Sequence, residues 1–133
     1  MSGVTVDTHA IVWYLSRDSR PSANAANALD SATAASEHIY VPSICLVELT
    51  YLVEKGRLPA AARDRLLQAL DDPTTPCQLA PLDRMVADAL EFVSRSEVPD
   101  LPDRIVAATA ASLRVPLISR DSKIRASMVQ TIW

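Results

Sequence analysis

The stretch Val4-Thr5-Val6-Asp7-Thr8-His9-Ala10-Ile11-Val12-Trp13-Tyr14-Leu15 decides how the rest of the chain is read. A short β-branched run spells a strand, one acid follows it, and an apolar helix from Thr8 to Leu15 comes directly after. The same alternation continues downstream. Alanine-rich helical sequence fills Pro21 to Ser36, with Ser22 as its cap. His38 to Val41 spells a second strand, and Pro42-Ser43 opens a helix to Lys55 that Gly56 closes. A helix from Pro59 to Leu70, a break at Thr74 to Pro76 and a short strand at Gln78-Leu79 come next. Helical spacing over Asp83 to Ser94 puts Met85, Val86, Ala89, Leu90 and Val93 on one side. Pro102 to Leu113 reads as helix, Val115 to Ser119 as a buried strand, and Thr131-Ile132-Trp133 as a final strand. Strands separated by helices, with no hairpin signal, predict an α/β fold with a mainly parallel sheet.

A chain of 133 residues, 49% of them hydrophobic, has the length and the apolar material for one domain spanning 1–133. Its 16 acidic and 13 basic residues leave a formal charge of −3, which excludes nucleic-acid binding by bulk positive charge. The two glycines, Gly3 and Gly56, are too few and too far apart for a P-loop, a GxGxxG turn or a GxSxG elbow. Cys45 and Cys77 have no CxxC or zinc spacing and read as small core residues in a reducing compartment. The longest apolar segment, Ile39 to Val53, is interrupted by Pro42 and Glu48, so no membrane span is expected. No basic n-region precedes the first apolar stretch. A cytoplasmic protein without a signal peptide is the expectation.

Ligands of open α/β sheets bind beyond the carboxyl ends of the strands. Asp7 follows the first strand and Asp121 follows Val115–Ser119, while Glu48 and the Asp100/Asp103 pair lie on or just before helices that start at the same edge. Asp7 is the only acid between Met1 and Arg17, in surroundings where a bare carboxylate is costly to desolvate. Its other reading is the N-cap of the first helix. Glu48 is the only charge between His38 and Glu54 and needs a partner, either a site or a buried arginine, unless it faces outward. Asp100 can cap the helix that contains Asp103, and Asp121 can cap Ser122–Arg125. Converging on one rim, however, these acids would repel unless a divalent cation sat between them, and an oxygen-only donor set suits Mg²⁺ or Mn²⁺. His9 and His38 stand alone and read as structural, and no strained elbow supports Ser/His/Asp catalysis. Arg120, Lys123 and Arg125 form a solvated face or a phosphate contact. Trp13 and Tyr14 read as core or interface residues.

With these residues on view, the sequence resembles the PIN domain family, and within it the VapC-type toxins of type II toxin–antitoxin pairs. The resemblance spans essentially the whole chain. It rests on Val6-Asp7-Thr8-His9-Ala10-Ile11-Val12-Trp13-Tyr14-Leu15, on Glu48-Leu49 with Leu52-Val53-Glu54-Lys55-Gly56-Arg57-Leu58, and on Asp100-Leu101-Pro102-Asp103-Arg104-Ile105-Val106-Ala107-Ala108-Thr109-Ala110. Ile118-Ser119-Arg120-Asp121 and the closing Thr131-Ile132-Trp133 complete it. It implies a three-layer α/β/α sandwich and an endoribonuclease that hydrolyses RNA phosphodiester bonds with a water activated by Mg²⁺ or Mn²⁺. Asp7, Glu48, Asp103 and Asp121 match the family's catalytic, metal-binding acids. Asp100 matches an accessory acid, and Thr8 and Ser119 match polar positions beside the site. Arg104, Arg120 and Lys123 are the expected phosphate contacts. The resemblance further implies a VapB-like antitoxin and a homodimer, with the apolar helices Ile44–Val53 and Ala60–Leu70 as contact regions. Two other readings keep the acid cluster: a metal-dependent DNA nuclease of related fold, and a non-catalytic Mg²⁺-binding regulatory module. A receiver-like module would need a lysine on a strand, and the only lysines, Lys55 and Lys123, fall outside the strands.

Overall fold

A computed structural model describes residues 2–125, 127 and 129–133. Five parallel strands, β1 Gly3–Val6, β2 His38–Pro42, β3 Cys77–Ala80, β4 Leu117–Ile118 and β5 Thr131–Ile132, form one sheet. Their order is β3-β2-β1-β4-β5. Helices α1 Thr8–Leu15 and α2 Ala23–Ala34 join β1 to β2, and α3 Ser43–Glu54 and α4 Ala60–Asp71 join β2 to β3. Helices α5 Arg84–Ala89 and α6 Leu101–Leu113 carry the chain back to β4, and α7 Ser122–Arg125 leads to β5. The chain steps outward from β1 to β3, then returns to lay β4 on the free edge of β1. Right-handed crossovers therefore place α1–α4 on one face and α5–α6 on the other. This is the expected α/β sandwich, and the sheet is parallel throughout the described residues.

Burial follows from those layers. Val4, Thr5 and Val6 are all buried, because a central parallel strand is covered on both faces. The register pairs Val4 with Ile39 and Thr5 with Tyr40, so side chains alternate between faces in step. Tyr40 packs with Ala80, Val115 and Leu113 at the end of α6. Gly3 opens β1 at φ +116, where a Cβ would collide with the backbone carbonyl of His38 on the neighbouring strand. The Thr5 hydroxyl is buried without a hydrogen-bond partner. Such an orphan costs on the order of 1–3 kcal/mol, while valine fills the same shape. Thr5→Val is accordingly expected to stabilise the protein by about 1 kcal/mol, read as a higher denaturant midpoint at unchanged m-value.

Several expected boundaries hold because the capping chemistry is local. The Ser22 hydroxyl accepts from Ala25 N–H at the start of α2. Gly56, at φ +72, follows α3 and returns its N–H to the carbonyl of Val53. The segment Asp83–Ser94 departs from the expected single helix. Asp83 caps α5 through Val86 N–H, but the α-helix stops at Ala89 and a 3₁₀ turn, Leu90–Phe92, follows. Arg104 explains the stop. Its guanidinium, reaching over from α6, donates to the carbonyls of Leu90 and Val93, which a continuing helix would have used itself. Met85, expected on the apolar side with Val86, is 66% exposed instead. The strand at 115–119 is shorter than expected, since only Leu117–Ile118 pair on both sides.

Candidate metal centre

Strand order reverses between β1 and β4, and a crevice opens where the carboxyl ends of two such strands diverge. Asp7 leaves β1 at that point, its N–H held by the carbonyl of Ile118 at 3.2 Å. Ser119, Arg120 and Asp121 leave β4 beside it. Glu48 reaches the crevice from α3, and Asp100 and Asp103 reach it from the start of α6. Together with Thr8, His9, Trp13, Arg120 and Asp121 these acids line a cleft of about 510 Å³.

Most of these acids also secure the backbone that presents them. Asp7 Oδ1 accepts from Ala10 N–H at 2.9 Å and caps α1. Asp100 Oδ1 accepts from Asp103 N–H at 3.0 Å and caps α6. Asp121 Oδ1 accepts from Lys123 and Ile124 N–H at 2.8 and 3.1 Å. A cap and a ligand are compatible roles, because each carboxylate has a second oxygen. Glu48 finds the Thr8 hydroxyl, 2.9 Å from its Oε1, rather than an arginine. The buried Ser119 hydroxyl accepts from Asp121 N–H at 3.1 Å and favours the charged form of Asp7.

Burial raises the Asp7 pKa above the usual carboxylate range, against the pull of Ser119 and Ala10 N–H. Burial likewise raises Glu48, partly offset by Thr8. Asp103 is pushed up to about 7, first by desolvation and then by the negative charges of Asp100, Asp121, Glu48 and Asp7. Carboxylates from separate elements thus feel one another across the cleft, a repulsion that a bound divalent cation would relieve. The donor set is all oxygen, as hard cations such as Mg²⁺ and Mn²⁺ require. Among the described residues, no three His, Cys, Asp or Glu side chains yet close on a common point. The carboxylates fit a divalent cation by chemistry, and its binding would have to draw them inward.

A pH dependence follows from these shifts. A carboxyl titrating near 7 when folded and at 3.8 when unfolded favours folding fully below pH 3.8, and loses that contribution as pH rises through about 7. Asp7 and Glu48 shift the same way. Asp103 is half exposed, so screening reduces the effect to about 1 kcal/mol, or a few degrees in Tm. The metal-free protein should melt higher at pH 5 than at pH 8. Added Mn²⁺ should raise Tm more at pH 8, where Asp103 is charged. Calorimetry at the two pH values checks both.

The remaining expected site residues divide. Arg120 lines the cleft, with its guanidinium 5.6 Å from the Trp13 ring centroid. Arg104, expected to contact phosphate, is turned onto the carbonyls of Leu90 and Val93 and does not line the cleft. Lys123 is exposed on α7 and is not among the residues lining the cleft, although its N–H bonds Asp121 there. Two residues read from the sequence as structural, His9 and Trp13, are in the cleft wall with their rings 5.5 Å apart. The signal for His9 was its place two residues after Asp7, in the first turn of α1. Cys45 is buried, its thiol directed to the Val6 carbonyl, and Cys77 is a half-buried free thiol. No described helix is long and apolar enough to cross a membrane.

Residues 4–127 match the PIN domain family. No curated protein matches the sequence significantly. Among solved structures, the chain is similar to VapBC2 from Rickettsia felis bound to a promoter DNA fragment, at TM-score 0.71 and 17% identity over 98% of this chain and 97% of that one. It is also similar to a toxin–antitoxin complex from Klebsiella pneumoniae, at TM-score 0.68 and 22% identity over 99% and 97%. FitAcB from Neisseria gonorrhoeae superposes at TM-score 0.64 with 22% identity over 96% and 95%. At these identities the likeness is one of fold.

Proposed function

Because the chain belongs to the PIN domain family, we propose that it is a metal-dependent endoribonuclease acting as the toxin of a toxin–antitoxin pair. The observation that carries this reading is the convergence of Asp7, Glu48, Asp103 and Asp121, from four separate elements, on one cleft at the sheet's switch point. Bound Mg²⁺ or Mn²⁺ supplies Lewis acidity toward a phosphate oxygen and lowers the pKa of water. Asp7 and Asp103 hold the cation directly in this reading, and Glu48 and Asp121 complete the oxygen set. Thr8 fixes Glu48 by donating to Oε1, so that carboxylate stays aimed at the cleft without a cation of its own. Ser119 braces the turn that carries Asp121. Arg120 is the cleft's one arginine and the residue suited to meet a phosphodiester there.

An antitoxin partner belongs to the same reading, supported by the toxin–antitoxin complexes among the similar structures, and a homodimer is proposed with it on the family resemblance alone. Of the two helices expected to make contacts, α3 leaves Val47 and Tyr51 exposed, 62% and 55%, beside Glu48. No large hydrophobic on α4 is exposed among the described residues, since Leu66 and Ala62 turn into the core. The α3 surface is therefore the one assigned to a partner. Digestion of RNA and of single-stranded DNA side by side, with Mg²⁺, with Mn²⁺ and with EDTA, tests the activity. RNA cleavage that EDTA stops is expected. Cleavage indifferent to chelator would end the metal proposal, and cleavage confined to DNA would replace the substrate.

A further inference from the structure

A second, larger cleft of about 790 Å³ lies beside the acid cleft and takes no part in the chemistry above. Its walls come from α2, α7 and β5. Asn24 and Asn27 present amides, Ser122 a hydroxyl, Arg125 a guanidinium, and Trp133 an indole. Two observations link the clefts. Asp121 lines one and its neighbour Ser122, the first residue of α7, lines the other, so the start of α7 joins them. Their second link is aromatic: Trp13, in the wall of the acid cleft, and Trp133, in the wall of the second, have ring centroids 5.9 Å apart.

Their charges differ sharply. Five acidic side chains line the acid cleft, and no acidic side chain is among those lining its neighbour, where one guanidinium sits among neutral side-chain donors and acceptors. An anionic polymer can therefore lie in the second cleft without any metal, although it enters the first only against neutralised acids. Amides recognise exposed base edges, an aromatic face stacks on a base, and an arginine meets the backbone phosphate. This combination suits a single strand whose bases are splayed out, not a duplex. Trp13 is 9% exposed and already packed by His9, Arg20, Arg120 and Trp133. It supports the wall, and Trp133 is the ring left to stack.

Resting on the nuclease reading, we propose that this second cleft is a subsite for single-stranded RNA flanking the phosphodiester held at the acids. Asn24 and Asn27 contact a base edge there, Trp133 stacks on a base, and Arg125 contacts the backbone. Part of the nuclease's sequence preference is set in this cleft and not at the acids.

The test uses the full chain carrying Asp7→Asn, in Mg²⁺, titrated with single-stranded RNA of mixed sequence. Because the chain has two tryptophans and Trp13 is enclosed, binding should quench Trp133 fluorescence. The quench should vanish in Trp133→Phe. Asn24→Ala with Asn27→Ala should weaken binding about tenfold at every salt concentration. Arg125→Gln should lower the slope of log affinity against log salt by about 0.7, the value for one phosphate contact on a single strand. Asn24, Asn27 and Arg125 are exposed, so these variants should fold with little change in Tm. Unchanged affinity in the variants, or a quench that persists in Trp133→Phe, would overturn the subsite while leaving the nuclease reading intact. Equal affinity for single-stranded DNA would overturn the assignment to RNA. No binding at all, together with no cleavage by the parent chain, would overturn both readings.

Discussion

Asp7→Asn is expected to lower RNA cleavage by ~10³-fold or more while leaving the metal-free protein as stable as the parent or more so. The size follows from removing a ligand of a cation whose charge stabilisation is worth several kcal/mol, at tenfold per 1.36 kcal/mol. The stability half of the expectation comes from the site. Burial opposes the Asp7 charge, so the neutral amide escapes that cost. Asparagine can still accept from Ala10 N–H through its carbonyl oxygen and keep the cap of α1. Cleavage rates and melting curves on the same preparation separate the two effects. A variant that lost activity and melted well below the parent would show Asp7 to be chiefly a helix cap. One that cleaved RNA like the parent would remove Asp7 from the chemistry altogether.

Arg104→Ala should show the opposite pattern, a large loss of stability with cleavage per folded molecule largely retained. Its guanidinium makes three hydrogen bonds, at 2.9–3.1 Å, to the carbonyls of Leu90 and Val93. Truncation leaves the part-buried Val93 carbonyl without its partner and the Leu90 carbonyl with only the N–H of Val93. Hydrogen bonds to a charged group are worth ~1.5–3 kcal/mol net, so a loss of about 2–3 kcal/mol is expected by chemical denaturation. Arg104→Lys should recover little of it, because a single ammonium cannot reproduce the fork. Loss of RNA affinity without loss of stability would return Arg104 to the phosphate role that the sequence first suggested.

Arg104 also marks where sequence reading stops. Next to Asp103, and in a chain proposed to cleave a phosphodiester, an arginine reads naturally as a phosphate contact. Its direction depends on α5 lying against α6, a packing no local pattern encodes. The same packing ended the helix at Ala89, whereas the spacing of Val86, Ala89, Leu90 and Val93 would have let it run to Ser94. The place of His9 and Trp13 in the cleft wall is hidden from the sequence for a similar reason, although Trp13 is the core residue the sequence suggests. Each is unremarkable along the chain, and each becomes cleft wall only because α1 starts at the sheet edge where Asp7 leaves β1.

The sequence by itself determined the order of strands and helices, the caps at Ser22, Asp7, Asp100 and Asp121, and the positions of the acids. These depend on hydrophobic period and on hydrogen bonds spanning two to four residues, and such interactions are written locally. Only the tertiary structure decided which side chains share a space. Laying β4 against β1 brought residues more than a hundred positions apart around a common cleft, burial beside the other acids raised the pKa of Asp103, and α5 packing on α6 drew Arg104 away. The tertiary structure also linked a second cleft, with no acidic side chain in its lining, to the first through the rings of Trp13 and Trp133. Long-range packing sets distance and desolvation, and those two quantities turn a list of acids into a candidate metal centre.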